Sequence, residues 1–146
     1  GVGRAEVTLH VGLGTFRPVT AESILDHRME AERFTIPAET AARVNQAHQE
    51  GGRVIAVGST SVRTLENAAT GEGRIRAASG RTDLFIHPPF TFQVVDAILT
   101  NFHLPKSTLL MMMSAFAGRE LLLAAYEEAI REQYRFYSYG DCMLIV

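Results

Sequence analysis

The spacing of apolar and polar positions changes along the chain, and each change marks an element. Val7, Leu9 and Val11 alternate with Glu6, Thr8 and His10, which predicts a strand over residues 5–11. Residues 37–50 read as a helix, with Thr35 ahead of it, Pro37 in its first turn and Gly51-Gly52 closing it. Its face Ala38, Ala41, Val44, Asn45 and His48 is weakly apolar, so a surface helix with a solvated His48 is expected. Residues 53–57 form a short, nearly continuous apolar run of the kind buried on both faces in parallel sheets. Gly58-Ser59-Thr60-Ser61 then turns into a helix through Val62, Leu65 and Ala69 that ends at Gly71. Residues 82–86 and 92–99 predict two further strands, and residues 142–146 a last one. A helix over 107–116 carries Met111, Met112 and Met113 as core filler. The clearest amphipathic helix covers 118–134, with Leu121, Leu122, Ala125, Ala129 and Ile130 expected inward. Two stretches are less regular. Residues 21–34 read as a loop or irregular strand, and 72–81 as an exposed hairpin or loop. The order of elements predicts a layered α/β protein whose sheet is mixed, largely parallel and flanked by helices.

One stretch stands between two apolar runs and concentrates chemistry. Thr100-Asn101-Phe102-His103-Leu104-Pro105-Lys106-Ser107-Thr108 brings together an amide, an imidazole, an ammonium and three hydroxyls. A rigid scaffold on either side of a polar turn is where sites are commonly built. Ser107 or Thr108 is placed to cap the following helix. Asp96 lies within the preceding apolar run, and a carboxylate there is expected to be paired or functional. Three more polar loops fall at probable strand ends: Gly12-Leu13-Gly14-Thr15, Gly58 to Ser61, and Tyr137 to Asp141. The start of the helix after Gly58 offers free N–H groups and a positive dipole end to an anion, with Ser59, Thr60 and Ser61 as hydroxyl donors and Arg63 as charge. A plain helix cap accounts for that pattern equally well.

Composition narrows the classes without choosing among them. The 146 residues suit one domain with a real core. A net charge of −2 argues against a strongly basic nucleic-acid binder, though not against an enzyme with a local RNA-contacting patch such as Arg74, Arg76 and Arg81. A single cysteine, Cys142, fits a reducing, cytoplasmic compartment. No apolar stretch reaches the span of a bilayer, and no signal-peptide pattern opens the chain. The start at Gly-Val-Gly rather than Met suggests a fragment or processed product. The five histidines and the cysteine show no metal-ligand spacing, and Walker, dinucleotide and nucleophile-elbow motifs are absent. These residues by themselves point to a non-metal α/β enzyme or binding module with a small-molecule site at which acid/base chemistry is possible.

Several loops taken together are more specific. The stretch Val7 to Val19, the pattern His27-x-Met29-x-x-Glu32, Val57 to Glu66, Asp96 with Thr100 to Thr108, and Tyr134-Arg135-Phe136-Tyr137-Ser138-Tyr139-Gly140-Asp141 resemble the S-adenosylmethionine:tRNA ribosyltransferase-isomerases of queuosine biosynthesis. The resemblance covers essentially the whole chain but only the C-terminal part of that longer family. It implies that residues 1–146 are the C-terminal portion of a partly barrel-like main α/β domain. The N-terminal part of that domain and its inserted β-barrel domain would be missing. Pro88-Pro89 departs from the family's usual Pro-Gly, and Ser59 stands where Thr is commoner.

What the resemblance implies is a reaction on tRNA. The ribosyl moiety of S-adenosylmethionine moves to the aminomethyl group of 7-aminomethyl-7-deazaguanine and rearranges to give epoxyqueuosine, with adenine and methionine released. S-adenosylmethionine is a substrate there, and neither metal nor cofactor is expected. His103 is the first acid/base candidate, oriented by Asp96 or Asn101; His27 with Glu32, and Asp141 with Tyr139, are the alternatives. Gly12, Gly14, Thr15, Ser59, Thr60, Ser61, Arg63, Asn101, Ser107, Thr108, Tyr139 and Asp141 are the expected substrate-binding residues. A competing expectation is an inactive fragment that keeps part of the S-adenosylmethionine or tRNA surface. Oligomeric state is left open.

Overall fold

The structure is a computed structural model that describes residues 1–146, except for the side chain of Phe16. The strands are β1 (Thr8–His10), β2 (Glu32–Ile36), β3 (Ile55–Val57), β4 (Ala69–Gly71), β5 (Arg74–Ile75), β6 (Ala78–Thr82), β7 (Ala97–Asn101) and β8 (Cys142–Ile145). The helices are α1 (Ala38–Gln49), α2 (Ser59–Asn67), α3 (Thr108–Ala117) and α4 (Arg119–Arg131), with short 3-10 turns over Leu13–Phe16 and Ile24–Asp26. The chain is thus mixed α/β, as its patterning predicts.

Three small sheets replace the expected, largely parallel one. β2 is the centre of the first, between β1 and β6, and both pairings are antiparallel. β7 is the centre of the second, parallel to β3 and antiparallel to β8. β4 and β5 form an antiparallel ribbon. Among the described residues β3–β7 is the one parallel pairing, with α2 on the connection between its strands; β7 and β8, joined through α3 and α4, run antiparallel. β2 itself lies in the stretch read as irregular; its alternation of buried Glu32, Phe34 and Ile36 with exposed Arg33 and Thr35 is masked in sequence by the charge at its head. The strand expected over 82–86 lies earlier, at Ala78–Thr82, where it pairs with β2.

The core gathers Ile36, Val62, Ile86, Ile98, Met113 and Leu122 from both larger sheets, the loop after β6, α2, α3 and α4. Each such side chain contributes about 1.5–3 kcal/mol relative to leaving it in water. Of the consecutive Met111, Met112 and Met113, the last two are core. On α4 the buried stripe is Leu122, Tyr126 and Ala129, one helical turn apart in sequence. Leu121, Ala125 and Ile130 are exposed, contrary to the expected inward face. Phe102 explains the shift, since its ring meets that of Tyr126 edge-on at 5.4 Å. Gly58 and Gly118 sit at φ +84° and +83°, where a side chain is disfavoured, and each turns the chain into a helix. No single helix is long and apolar enough to cross a membrane; α3 and α4 meet at 115°.

Candidate functional site

The four polar loops meet. A cavity of about 270 Å³ is lined by Thr15 and Pro18, by Ser59 and Thr60, by Thr100, Asn101, His103, Leu104, Pro105, Ser107 and Leu109, and by Tyr137 and Ser138. Local folding explains the convergence. β3 and β7 run in parallel, so their carboxyl ends lie side by side, and α2 and the Thr100–Thr108 stretch leave from the same end. The Val19 amide donates to the Lys106 carbonyl at 2.8 Å, which ties the loop after Gly12 to the stretch. The Tyr137 amide donates to the Phe102 carbonyl at 3.0 Å and brings in the C-terminal loop. A larger groove of about 840 Å³ lies between residues 2–7, α1 and β3, and of the expected site residues only Ser61 reaches it.

His103 is the chemically distinctive group of the cavity wall. It is 8% exposed, and its Nε2 lies 3.0 Å from Thr100 Oγ1. Burial pushes its pKa down to about 4, so the ring is neutral near pH 7. Its backbone N–H donates to the Tyr126 hydroxyl at 2.7 Å, which fixes the chain at that point. Asp96 does not orient it. Asp96 stands at the opposite end of β7, where Oδ2 accepts from the Val54 amide at 2.7 Å and lies 2.9 Å from His48 Nε2. Nor does Asn101, whose Nδ2 is 3.4 Å from the Asp141 carbonyl. His48, expected to be solvated, is therefore engaged on both ring nitrogens, the other lying 2.6 Å from the Gly73 carbonyl.

Two helices begin at the cavity. Ser107 caps α3, its Oγ accepting from the Leu110 amide at 3.1 Å, as its position in sequence predicts. α2 begins at Ser59 directly after Gly58. Their N-terminal amides and dipoles give the cavity a positive character, although none of its lining side chains is charged.

Other expected site residues are placed elsewhere or are already engaged. Arg63 and Glu32 are buried and bonded to each other, which takes Arg63 away from any anion in the cavity and Glu32 away from His27. Glu32 Oε1 also accepts from the Gly12 amide at 2.6 Å and from Thr15 Oγ1 at 2.7 Å. Burial raises the Glu32 pKa, but the bonds from Thr15 and Gly12 and the Arg63 guanidinium together hold it below the ordinary carboxylate value. His27 packs edge-on against Phe85 at 5.0 Å. Ser61 Oγ donates to the Val57 carbonyl at 2.8 Å, and Thr108 Oγ1 is buried without a partner among the described residues. Gly14 and Tyr139 lie off the cavity lining, Tyr139 being exposed. Asp141 accepts from the Arg135 backbone amide at 2.5 Å and from its guanidinium at 3.1 Å, so it closes the last loop instead of pairing with Tyr139. The sequence reading missed Thr100 as the partner of His103 and Tyr126 as its support. A tyrosine on the inward stripe of an amphipathic helix was the available signal, since a buried hydroxyl takes a partner.

Comparison with known proteins matches this site's loops as part of one alignment over the chain. The chain is 59% identical over 146 residues to a Trichlorobacter lovleyi protein named S-adenosylmethionine:tRNA ribosyltransferase-isomerase, covering 100% of this chain and 43% of the relative. It is 60% identical over 141 residues to a Natranaerobius thermophilus protein of the same name, covering 97% of this chain and 41% of the relative. A crystal structure titled S-adenosylmethionine tRNA ribosyltransferase, from Thermotoga maritima, superposes with a TM-score of 0.74 at 50% identity, over 79% of this chain and 41% of that one. The chain thus spans well under half the length of these relatives. Residues 1–145 match the family model described as "Queuosine biosynthesis protein", and the chain belongs to that family.

Proposed function

We propose that this chain carries the part of an S-adenosylmethionine:tRNA ribosyltransferase-isomerase that holds the reacting end of S-adenosylmethionine. One observation carries the reading: the four loops that resemble the family's motifs close around a single cavity with neutral His103 in its wall. In this reading the ribosyl moiety passes to 7-aminomethyl-7-deazaguanine in tRNA, giving epoxyqueuosine, and S-adenosylmethionine is consumed as a substrate with no separate cofactor. The three sheets are then an incomplete share of a layered, barrel-like main domain, and the compartment is the cytoplasm, where tRNA is.

The chemistry follows from charge. A sulfonium acidifies the adjoining ribose 5′ carbon, so a positioned base can remove that proton. A histidine kept neutral by burial carries an unprotonated ring nitrogen and no imidazolium proton to give, while its lowered pKa makes it a weak base. A cationic substrate beside it disfavours the imidazolium further. The amides that open α2 and α3, with the hydroxyls of Ser59 and Thr60, suit the methionine carboxylate; the Ser107 hydroxyl already donates to the Leu104 carbonyl. A cavity of about 270 Å³ takes one end of the substrate. The exposed Arg74, Arg76 and Arg81 are suited to tRNA phosphates.

Calorimetry of the chain with S-adenosylmethionine, alongside an adenine-release assay with tRNA on a full-length protein containing it, tests this. Binding of S-adenosylmethionine by the chain, with adenine release lost in His103→Ala and the fold intact, supports the reading. Undiminished binding and release in that variant overturn it.

A further inference from the structure

The cavity wall depends on two residues that do not line it. Glu32 and Arg63 are 4% and 2% exposed, and both lie outside the lining. Glu32 takes the Gly12 amide and the Thr15 hydroxyl on Oε1 and an Arg63 N–H on Oε2. Arg63 Nη1 donates to Thr15 Oγ1 at 3.1 Å. The hydroxyl of Thr15 thus receives one hydrogen bond and gives one, which leaves it no freedom to turn toward a ligand. These four groups come from the turn after β1, from β2 and from α2.

We propose that Arg63 and Glu32 are a positioning pair: they lock the Gly12–Thr15 turn to α2 and so set the separation of the two walls that carry Thr15 on one side and Ser59 and Thr60 on the other. This rests on the reading of the cavity as a substrate site. Two features favour positioning over plain stabilisation. A buried ion pair is often no more stabilising than apolar residues of similar volume. Arg63 Nε is moreover buried with no partner among the described residues, a loss that an apolar pair would avoid. What the pair has over an apolar one is a fixed angle, set by a planar fork meeting a planar carboxylate.

The test compares Glu32→Gln, Arg63→Lys and the apolar pair Glu32→Leu/Arg63→Met, each in the 146-residue chain. Amide hydrogen exchange at residues 12–15 and 59–61, melting temperature and affinity for S-adenosylmethionine are measured for each. Glu32→Gln should raise exchange at Gly12 and Thr15 by about tenfold or more while α4 is unchanged. The apolar pair should regain most of the melting temperature lost in Glu32→Gln yet keep the fast exchange and weakened affinity, and Arg63→Lys should lose less of both than Glu32→Gln. Melting temperature, exchange and affinity recovering together in the apolar pair would overturn the proposal, as would exchange at residues 12–15 unchanged in every variant. The exchange result stands without substrate. If the wild-type chain binds no S-adenosylmethionine, the functional reading fails, while exchange still decides whether the pair holds the turn.

Discussion

His48 and Asp96, 48 residues apart, face each other with Nε2 and Oδ2 at 2.9 Å, joining the end of α1 to the start of β7. The other ring nitrogen lies 2.6 Å from the Gly73 carbonyl. A carboxylate and a carbonyl only accept, so both ring nitrogens donate when the ring is an imidazolium. Burial lowers the His48 pKa, but the bond to Asp96, the Gly73 and Val94 backbone and the Asp96 charge together raise it above the usual histidine value.

Stability should follow that titration. Because the folded pKa lies above the unfolded one, the contribution is fully present below about pH 6.5 and is lost as pH rises through the folded value. Melting temperatures between about pH 5 and 9 should fall over this window in the wild type and fall less in His48→Gln. Equal slopes in the two proteins would remove His48 as the cause.

His103 should not appear in a pH profile near neutrality. With a pKa of about 4 it is already neutral above about pH 5, so acid/base limbs between pH 6 and 8 must come from other groups. In a full-length enzyme containing this chain, His103→Ala should lower turnover by about 10²-fold or more with an unchanged melting transition. A limb near pH 6.5 that disappears with His103 would contradict the buried, neutral ring.

Tyr126→Phe removes the acceptor for the His103 backbone N–H while keeping the ring against Phe102. The stranded donor should cost about 1–3 kcal/mol in urea unfolding. A loss under a few tenths would mean that another acceptor takes over.

Glu66 is 6% exposed and accepts from the amides of Gln93, Val94 and Val95 at 2.9, 3.0 and 2.9 Å. It holds the approach to β7 from α2. Glu66→Ala strands three amides, and at about 1–3 kcal/mol each the loss rivals the stability of a domain. Glu66→Gln keeps an acceptor oxygen and should retain a cooperative transition. Similar melting of the two variants would show that water replaces the carboxylate.

Ser107→Ala removes the α3 cap and should cost about 1 kcal/mol, or about 2–4 °C of melting temperature. It should also weaken S-adenosylmethionine binding if the α3 amides hold an anion. Unchanged affinity with lowered stability would leave Ser107 a cap alone.

The sequence by itself determined the elements whose information is local. α1, α2, α3 and α4 follow from apolar spacing, glycine and proline punctuation and the Ser107 cap, because helical bonds join residues only four apart. It also marked the polar loops at Gly12–Thr15, Gly58–Ser61, Thr100–Thr108 and Tyr137–Asp141, since each falls where an apolar strand pattern breaks. Tertiary structure decided which groups meet. Asp96 reads as a partner for His103, seven positions on, but the direction of β7 carries it to the far end, beside His48. Arg63 reads as a cation for a ligand and Glu32 as an acid/base group, until β2 and α2 pack and each finds the other across 31 residues. The antiparallel β1–β2–β6 sheet was equally illegible, because strand pairing is fixed by long-range register and the burial of one face. Periodicity records which side of an element faces inward; only packing decides what that side faces.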